Sequence, residues 1–261
     1  MGIGKSPKIQ LKTPAQIDAM RVAGLVVATT LATLAQHVKS GVTTGDLDAI
    51  ARQCIADAGA TPSFLGYHGF PAVICTSVND EVVHGIPGSR TLVDGDLIKI
   101  DCGAIVDGWH GDAAISVPVG QVSAQVATLS QVTEASMWAG LAMARPGGRL
   151  TDISHAVEQA TVAAGTYGIV ADYGGHGIGT AMHMDPHILN YGAPGRGPKL
   201  EVGMALAIEP MATLGQADVV VGTDGWTVST ADGSVAAHWE HTVAITEHGP
   251  WVLTALDDVR L

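Results

Sequence analysis

Apolar residues recur at helical spacing through IDAMRVAGLVVATTLATLAQHV, which predicts a helix from about residue 15 to 38, opened by Pro14. After the loop SGVTTGD, Thr44 or Asp46 can cap a second helix, DLDAIARQCIADAG, ending near Gly59. SFLGYHGFPAVICTSVNDEVVHGIPG then alternates short β-like runs with Gly and Pro. DLIKIDCGAIVDGWHGDAAISVPVG reads as a hairpin turned near Asp107 and Gly108. Helical periodicity returns over 121–144, is broken by PGGRLTD, and resumes over 152–165. Strand-like runs follow in VGMALAIEPMA and WTVSTADGSVAAHWEHTVAITE, with another hairpin turn expected at Asp232-Gly233. PWVLTALDDV reads as a closing strand.

A shift of 106 residues places Asp46, Leu47 and Ala58-Gly59 on Asp152, Ile153 and Ala164-Gly165. Each copy reads as long helix, glycine loop, Asp-capped helix, Ala-Gly stop, then a segment containing Gly and His, then strands. That order predicts two similar α/β halves, about 14–120 and 121–250, sharing a sheet with helices outside. No linker separates them, so 14–261 is expected to be one domain, preceded by a loosely docked arm, residues 1–13.

Composition narrows the function. The 261 residues carry 13 Lys and Arg against 25 Asp and Glu, a net charge of −12, which excludes a broad basic footprint for nucleic acid or an anionic membrane. Cys54, Cys75 and Cys102 form no CxxC pair, which suits a reducing cytosol. The stretch AGLVVATTLATLA is too short to span a bilayer and reads as the buried face of a helix. MGIGKS fits the permissive N-myristoylation pattern, but nothing else in the chain points to a membrane.

The strongest chemical signal is acidic residues inside apolar β-like runs. Asp101 ends LIKID, Asp112 sits in WHGDAAISV, Glu209 follows ALAI, and Glu240 precedes HTVAIT. A carboxylate in an apolar strand is costly to desolvate, and the six Lys and seven Arg are too thinly spread to neutralise four of them. Taken singly, Asp101 could cap a strand end and Glu240 could form a buried pair; for the set, a cluster of divalent cations would supply the counter-charge. The hairpin is expected to bring Asp101 and Asp112 almost opposite one another, with Cβ atoms ~5 Å apart, close enough to serve two metals ~3.5–4 Å apart. His176, in YGGHGIG, can join them, and carboxylates with one imidazole suit Mn, Fe, Co or Zn better than Ca. His84 in VVHGIPG and His183 in TAMHMDP are placed to touch substrate. His241, His238, His110 and His68 rank behind them. His37, His155, His187 and His248 read as helix or surface residues.

The strings LGYHGFP, VNDEVVHGIP, IKIDCG, DGWHGDAA, GGHGIGTAMHMDP, IEPM and WTVST…WEHTVAIT, in that order between about residues 10 and 255, resemble the type I methionine aminopeptidases in their short bacterial form. The resemblance implies the pita-bread fold, an α/β (α+β) architecture with pseudo-two-fold halves, a central antiparallel sheet and outer helices. It implies two divalent ions (Co, Mn, Fe or Zn), with Asp112 and Glu240 bridging, Asp101 on one ion, and His176 and Glu209 on the other. It implies a methionine pocket formed by Tyr67, Phe70, Cys75, Met182 and Trp226, with Phe64 beside it. Several family members carry Cys, Tyr and Phe where this chain has Phe64, Phe70 and Met182, so the pocket stays apolar with a different shape. In the implied reaction, water activated between the ions attacks the carbonyl after an N-terminal methionine, before a small second residue. Glu209 carries the proton, His183 stabilises the oxyanion, and His84 contacts the scissile nitrogen. The implied setting is a cytoplasmic monomer acting on nascent polypeptide N-termini, with any transient ribosome contact made through a local patch. The rival readings are an X-Pro aminopeptidase or prolidase-like enzyme, whose usual extra N-terminal domain this length leaves no room for, a dinuclear phosphoesterase, and a non-catalytic pita-bread binding protein.

Overall fold

The computed structural model describes residues 9–261; the MGIGKS motif and the start of the arm lie outside them. Helix α1 (Pro14–His37) begins where Thr13 caps it: the Thr13 hydroxyl accepts from the Gln16 N–H while the Gln16 side chain accepts from the Thr13 N–H. α1 is long and apolar enough, by length and composition, to cross a membrane. Its Met20, Val27, Leu31 and Leu34 are instead buried inside this fold. Helix α2 (Thr44–Asp57) is capped by Thr43 rather than by Thr44 or Asp46. Thr43 is the extended residue, whereas the Thr44 hydroxyl is engaged with Gly88, and Asp46 closes the capping box by accepting the Thr43 N–H.

The second half repeats this scheme. Helix α3 (Ala124–Ala142) is capped by Ser123, and helix α4 (Leu150–Ala164) starts two residues before the expected position. Asp152 accepts the Arg149 N–H at 2.7 Å, so it plays at α4 the part that Asp46 plays at α2. The last residues of the arm are docked: Lys12 donates its N–H to Gly203 O and its ammonium to Ile178 O.

In the first half the strands are β1 (Thr61–Pro62), β2 (Ile74–Val78), β3 (Glu81–Val83), β4 (Leu97–Val106) and β5 (Trp109–Pro118). Those of the second half are β6 (Gly168–Ile169), β7 (Gly175–Gly177), β8 (Met184–Ile188), β9 (Ala205–Ile208), β10 (Met211–Thr213), β11 (Val219–Val221), β12 (Val228–Thr230), β13 (Ala236–His238), β14 (Glu240–Thr246) and β15 (Gly249–Val252). The main sheet runs β1-β4-β5-β14-β9-β7-β8, with β2 also on β4 and β15 on β14, all antiparallel. Two three-stranded sheets, β13-β10-β6 and β11-β12-β3, complete the fold. The turn at Asp232-Gly233 forms, but it does not make a hairpin. Both edges of β12 are taken by β11 and β3, so β13 goes on to pair with β10.

One face of the main sheet is covered twice. Val27, Leu31, Leu47 and Ile55 of α1 and α2 pack on Ile98, Ile100, Cys102 and Ala113. Met137, Leu141, Ile153 and Val157 of α3 and α4 pack on Leu206, Ile208, Val243 and Ile245. The register pairs Ala113 with His241 and Val243 with Leu206, so both helix pairs lie on the same side. This is the pseudo-two-fold pita-bread arrangement, with outer helices and a central antiparallel sheet. Strand alternation then sends Asp101, Asp112 and Glu240 to the other face.

α1 sits close to β5 because glycines meet there. A Cβ on Gly111 would lie 2.7 Å from Gly24 N, and a Cβ on Gly24 would overlap the Leu253 carbonyl oxygen. Gly24→Ala is expected to lower the unfolding free energy by about 1–3 kcal/mol, read as a lower urea midpoint at unchanged m. Val22→Ala, on the exposed side of the same helix, should stay within about 0.5 kcal/mol.

Candidate active site

The β4–β5 hairpin turns on Asp107 and Gly108, both with positive φ, as a two-residue primed turn requires. That turn places Asp101 opposite Ala114 and Asp112 opposite Gly103. The two acids are therefore diagonal neighbours on one face rather than nearly facing. Glu240, the first residue of β14, also pairs with Ala114. Asp101, Ala114 and Glu240 thus form a row across three strands, and the small central side chain leaves room above it for the carboxylates. His176 of β7 lies beside Ala207 of β9, and Glu209 follows that strand. His176 Nε2 is 3.6 Å from Glu209 Oε1 and 3.9 Å from Asp112 Oδ2. Asp112, His176 and Glu240 each offer a ligand atom, all within 4.8 Å of one another.

His176 Nδ1 lies 3.0 Å from the Gly177 carbonyl, so it carries the proton and leaves the Nε2 lone pair facing the acids. Burial lowers the His176 pKa to about 3, which keeps the ring neutral. Burial raises the Asp101 pKa to about 7. Asp112, Glu209 and Glu240 are pushed well above the usual carboxylate range, first by burial and then by one another's charge and that of Asp101. Asp101 Oδ1, Asp112 Oδ1 and Glu240 Oε1 are buried with no hydrogen-bond partner, and among the described residues the cleft wall holds no Lys or Arg. Four acids, one imidazole and three orphaned oxygens fit divalent cations.

The cluster forms the floor of a cleft of about 410 Å³. The cleft brings together every residue singled out above for metal, catalysis and substrate: Phe64, Tyr67, Phe70, Cys75, His84, Asp101, Asp112, His176, Met182, His183, Glu209, Trp226 and Glu240. Its apolar wall is a packed cluster of Phe64, Phe70, Cys75 and Met182, extended by Tyr67 and Trp226. The Phe70 and Trp226 rings meet edge to face at 5.1 Å, and Asp224 fixes the Trp226 loop by accepting the N–H groups of Trp226 and Thr227. Cys75 of β2 pairs with Asp101 of β4, so this wall directly abuts the acids. Tyr67 OH lies 2.9 Å from His183 Nδ1, and the His183 ring centroid is 4.3 Å from that of His176. His84, at φ +61°, stacks edge-on to Tyr173, and burial lowers its pKa to about 4.

Other residues at the site stood low in the sequence reading or outside it. His68 lines the cleft, and Ala72 and Ile86 join the apolar cluster. His238 is fully buried with Nε2 3.7 Å from Glu209 Oε2; its one sequence signal is its place two residues before Glu240. His110 and His241 lie within hydrogen-bonding distance of Ser63 and Thr254 instead.

The sequence pattern of metallopeptidase family M24 matches residues 18–247. The chain is 55% identical over 249 residues to methionine aminopeptidase 1 of Mycobacterium tuberculosis, across 93% of this chain and 94% of the relative. A crystal structure of methionine aminopeptidase from Rickettsia prowazekii superimposes with a TM-score of 0.92 at 41% identity, across 94% of this chain and 99% of that one. A prolidase from Pyrococcus furiosus shares the fold alone, with a TM-score of 0.75 at 20% identity, across 95% of this chain and 66% of that one.

The titrations predict an unusual stability profile for the ion-free protein. The raised acids contribute stability that is complete below their unfolded pKa of about 4 and is lost as pH rises through about 7 and beyond. His84, His176, His238 and His241, lowered to about 4, 3, 3 and 4, contribute stability that is present above about pH 6.5 and lost as pH falls. The two sets oppose each other below about pH 6.5; above it the four acids outweigh Lys99 and Lys12, which burial lowers to about 7 and about 8 and whose contribution grows as pH rises. The Tm of chelated protein should therefore fall from about pH 6.5 to about 8.5, and manganese should raise Tm more at the upper end. A Tm that is flat in this window and indifferent to metal would contradict the clustered acids.

Proposed function

The chain belongs to metallopeptidase family M24, and we infer from that membership and from the cleft that it removes the N-terminal methionine of polypeptides, preferring a small second residue. The observation that carries this reading is the junction of the apolar wall with the acids at Cys75 and Asp101. A methionine side chain buried against Phe70, Met182 and Trp226, worth roughly 2–3 kcal/mol, leaves the carbonyl that follows it above the carboxylates. The X-Pro reading has less support, since the prolidase likeness is one of fold alone. A non-catalytic binding role leaves the cluster of desolvated acids without a purpose.

The activity depends on metal. Two divalent cations fit the donor set, with Asp101, Asp112 and Glu240 serving one and Asp112, His176, Glu209 and Glu240 the other; Co, Mn, Fe or Zn suits these donors. When bound, such ions supply Lewis acidity toward a water and toward the substrate carbonyl. Glu209 takes the proton of the attacking water and returns it to the leaving nitrogen. With Tyr67 OH donating to His183 Nδ1 across their 2.9 Å contact, His183 Nε2 would bear a proton and donate to the oxygen on which negative charge develops. His84, neutral through burial, contacts the scissile nitrogen. The substrates are nascent polypeptide N-termini, met by a cytoplasmic monomer. With a net charge of −12, ribosome contact falls to a local patch.

After chelation and refilling with each metal in turn, the protein should release methionine from Met-Ala-Ser and leave Gly-Pro dipeptides intact; preferential Gly-Pro cleavage overturns the reading. Asp101→Ala and Glu240→Ala should abolish turnover and lower the bound metal, measured by elemental analysis, and full activity with less than one ion per chain excludes the two-ion site. His183→Ala should keep its metal while kcat/KM falls about 10²–10³-fold; an unchanged value removes His183 from oxyanion stabilisation.

A further inference from the structure

We infer that His238 is a positioning residue for Glu209, holding the second oxygen of that carboxylate through an Nε2–H donor. The assignment rests on the reading of Glu209 as ion ligand and proton carrier. Glu209 lies between two imidazoles. Its Oε1 is 3.6 Å from His176 Nε2 and its Oε2 is 3.7 Å from His238 Nε2. Since His176 Nδ1 carries the proton, the His176 side is where Oε1 meets the ligand cluster. Oε2 is left facing His238.

His238 is 1% exposed, and its Nε2 has no hydrogen-bond partner. The ring is held in place from both ends of its own peptide units. The His238 N–H donates to Ser116 Oγ at 3.1 Å, and the Ser116 hydroxyl donates back to the His238 carbonyl at 2.7 Å. The Glu209 main chain is held separately, by Asn190 Nδ2 donating to its carbonyl at 3.1 Å. Two restrained groups therefore face each other across a buried gap just longer than a hydrogen bond. If Nε2 lacked a proton, a nitrogen lone pair would confront a carboxylate oxygen with no water between them, which is costly. With the proton on Nε2, a closure of about 1 Å makes a charge-assisted hydrogen bond of ~2.8 Å. Carboxylates that ligate metals are commonly oriented by such outer donors. Here the donor fixes which oxygen of Glu209 faces the cluster, and so the geometry in which this residue accepts and returns a proton.

The first test needs no substitution. In the parent protein loaded with zinc, ¹⁵N shifts of the His238 imidazole should show a protonated Nε2 and a bare Nδ1; the opposite tautomer overturns the assignment. His238→Leu should then lower kcat on Met-Ala-Ser about 10–100-fold with little change in KM, and His238→Gln, which restores an N–H donor, should recover most of that loss. Calorimetry should give the same number of bound ions in His238→Gln as in the parent. Equal loss of turnover in both variants, or loss of an ion in both, overturns the assignment by making the ring itself the requirement. A parent that shows the Nε2–H tautomer yet releases no methionine defeats the activity reading and leaves the orientation of Glu209 standing.

Discussion

Buried negative charge with no positive side chain beside it in the cleft is the constraint on which this structure turns. Asp101, Asp112, Glu209 and Glu240 share one cleft floor, three of their oxygens lack partners, and among the described residues no Lys or Arg lines the wall. A folded chain tolerates such a cluster in two ways, by holding protons or by holding cations. The raised pKa values describe the first state and the donor geometry describes the second. Catalysis needs the second, so the desolvation that burdens the empty fold also gives the ions a strong hold once they enter.

The fold brings this about by dividing labour between the two faces of one sheet. Duplicated helix pairs bury one face, and strand alternation commits the other to polar chemistry. Small residues clear the space: Ala114 lies between Asp101 and Glu240, and Ala207 lies beside His176. The apolar pocket is fixed to the same strands, since Cys75 and Asp101 are register partners. The apolar wall and the acids therefore meet on one hydrogen-bond ladder at Cys75 and Asp101, while Phe64, Phe70, Met182 and Trp226 reach the cleft from segments between the strands.

Much of this was legible in the sequence where the signal is local. The α1 periodicity, the Asp107-Gly108 turn and the matched Asp46 and Asp152 all reflect contacts within a few residues. The two-residue turn also dictates the diagonal placement of Asp101 and Asp112, so that offset could have been counted out from the turn. Adjacent threonines hid the α2 cap, because only the backbone angles distinguish Thr43 from Thr44. The Asp232-Gly233 turn was visible, but the partners of the flanking strands were not, since pairing depends on which distant edges are already taken. His238 was hard to rank for the same reason: its neighbour Glu209 comes from a different strand connection.

The order of strands has a consequence for how the molecule comes into being. β14, the second-to-last strand to be made, occupies the middle of the main sheet between β5 and β9, and it carries Glu240. The first half can shape its own hairpin and helices, but apart from the short β3–β12 pairing the two halves share no ladder until this late segment slots between them. Glu240 therefore joins the other acids only once this late segment is in place. Maturation waits on one long-range insertion near the C-terminus, the slow kind of step expected where pairing partners are far apart in sequence.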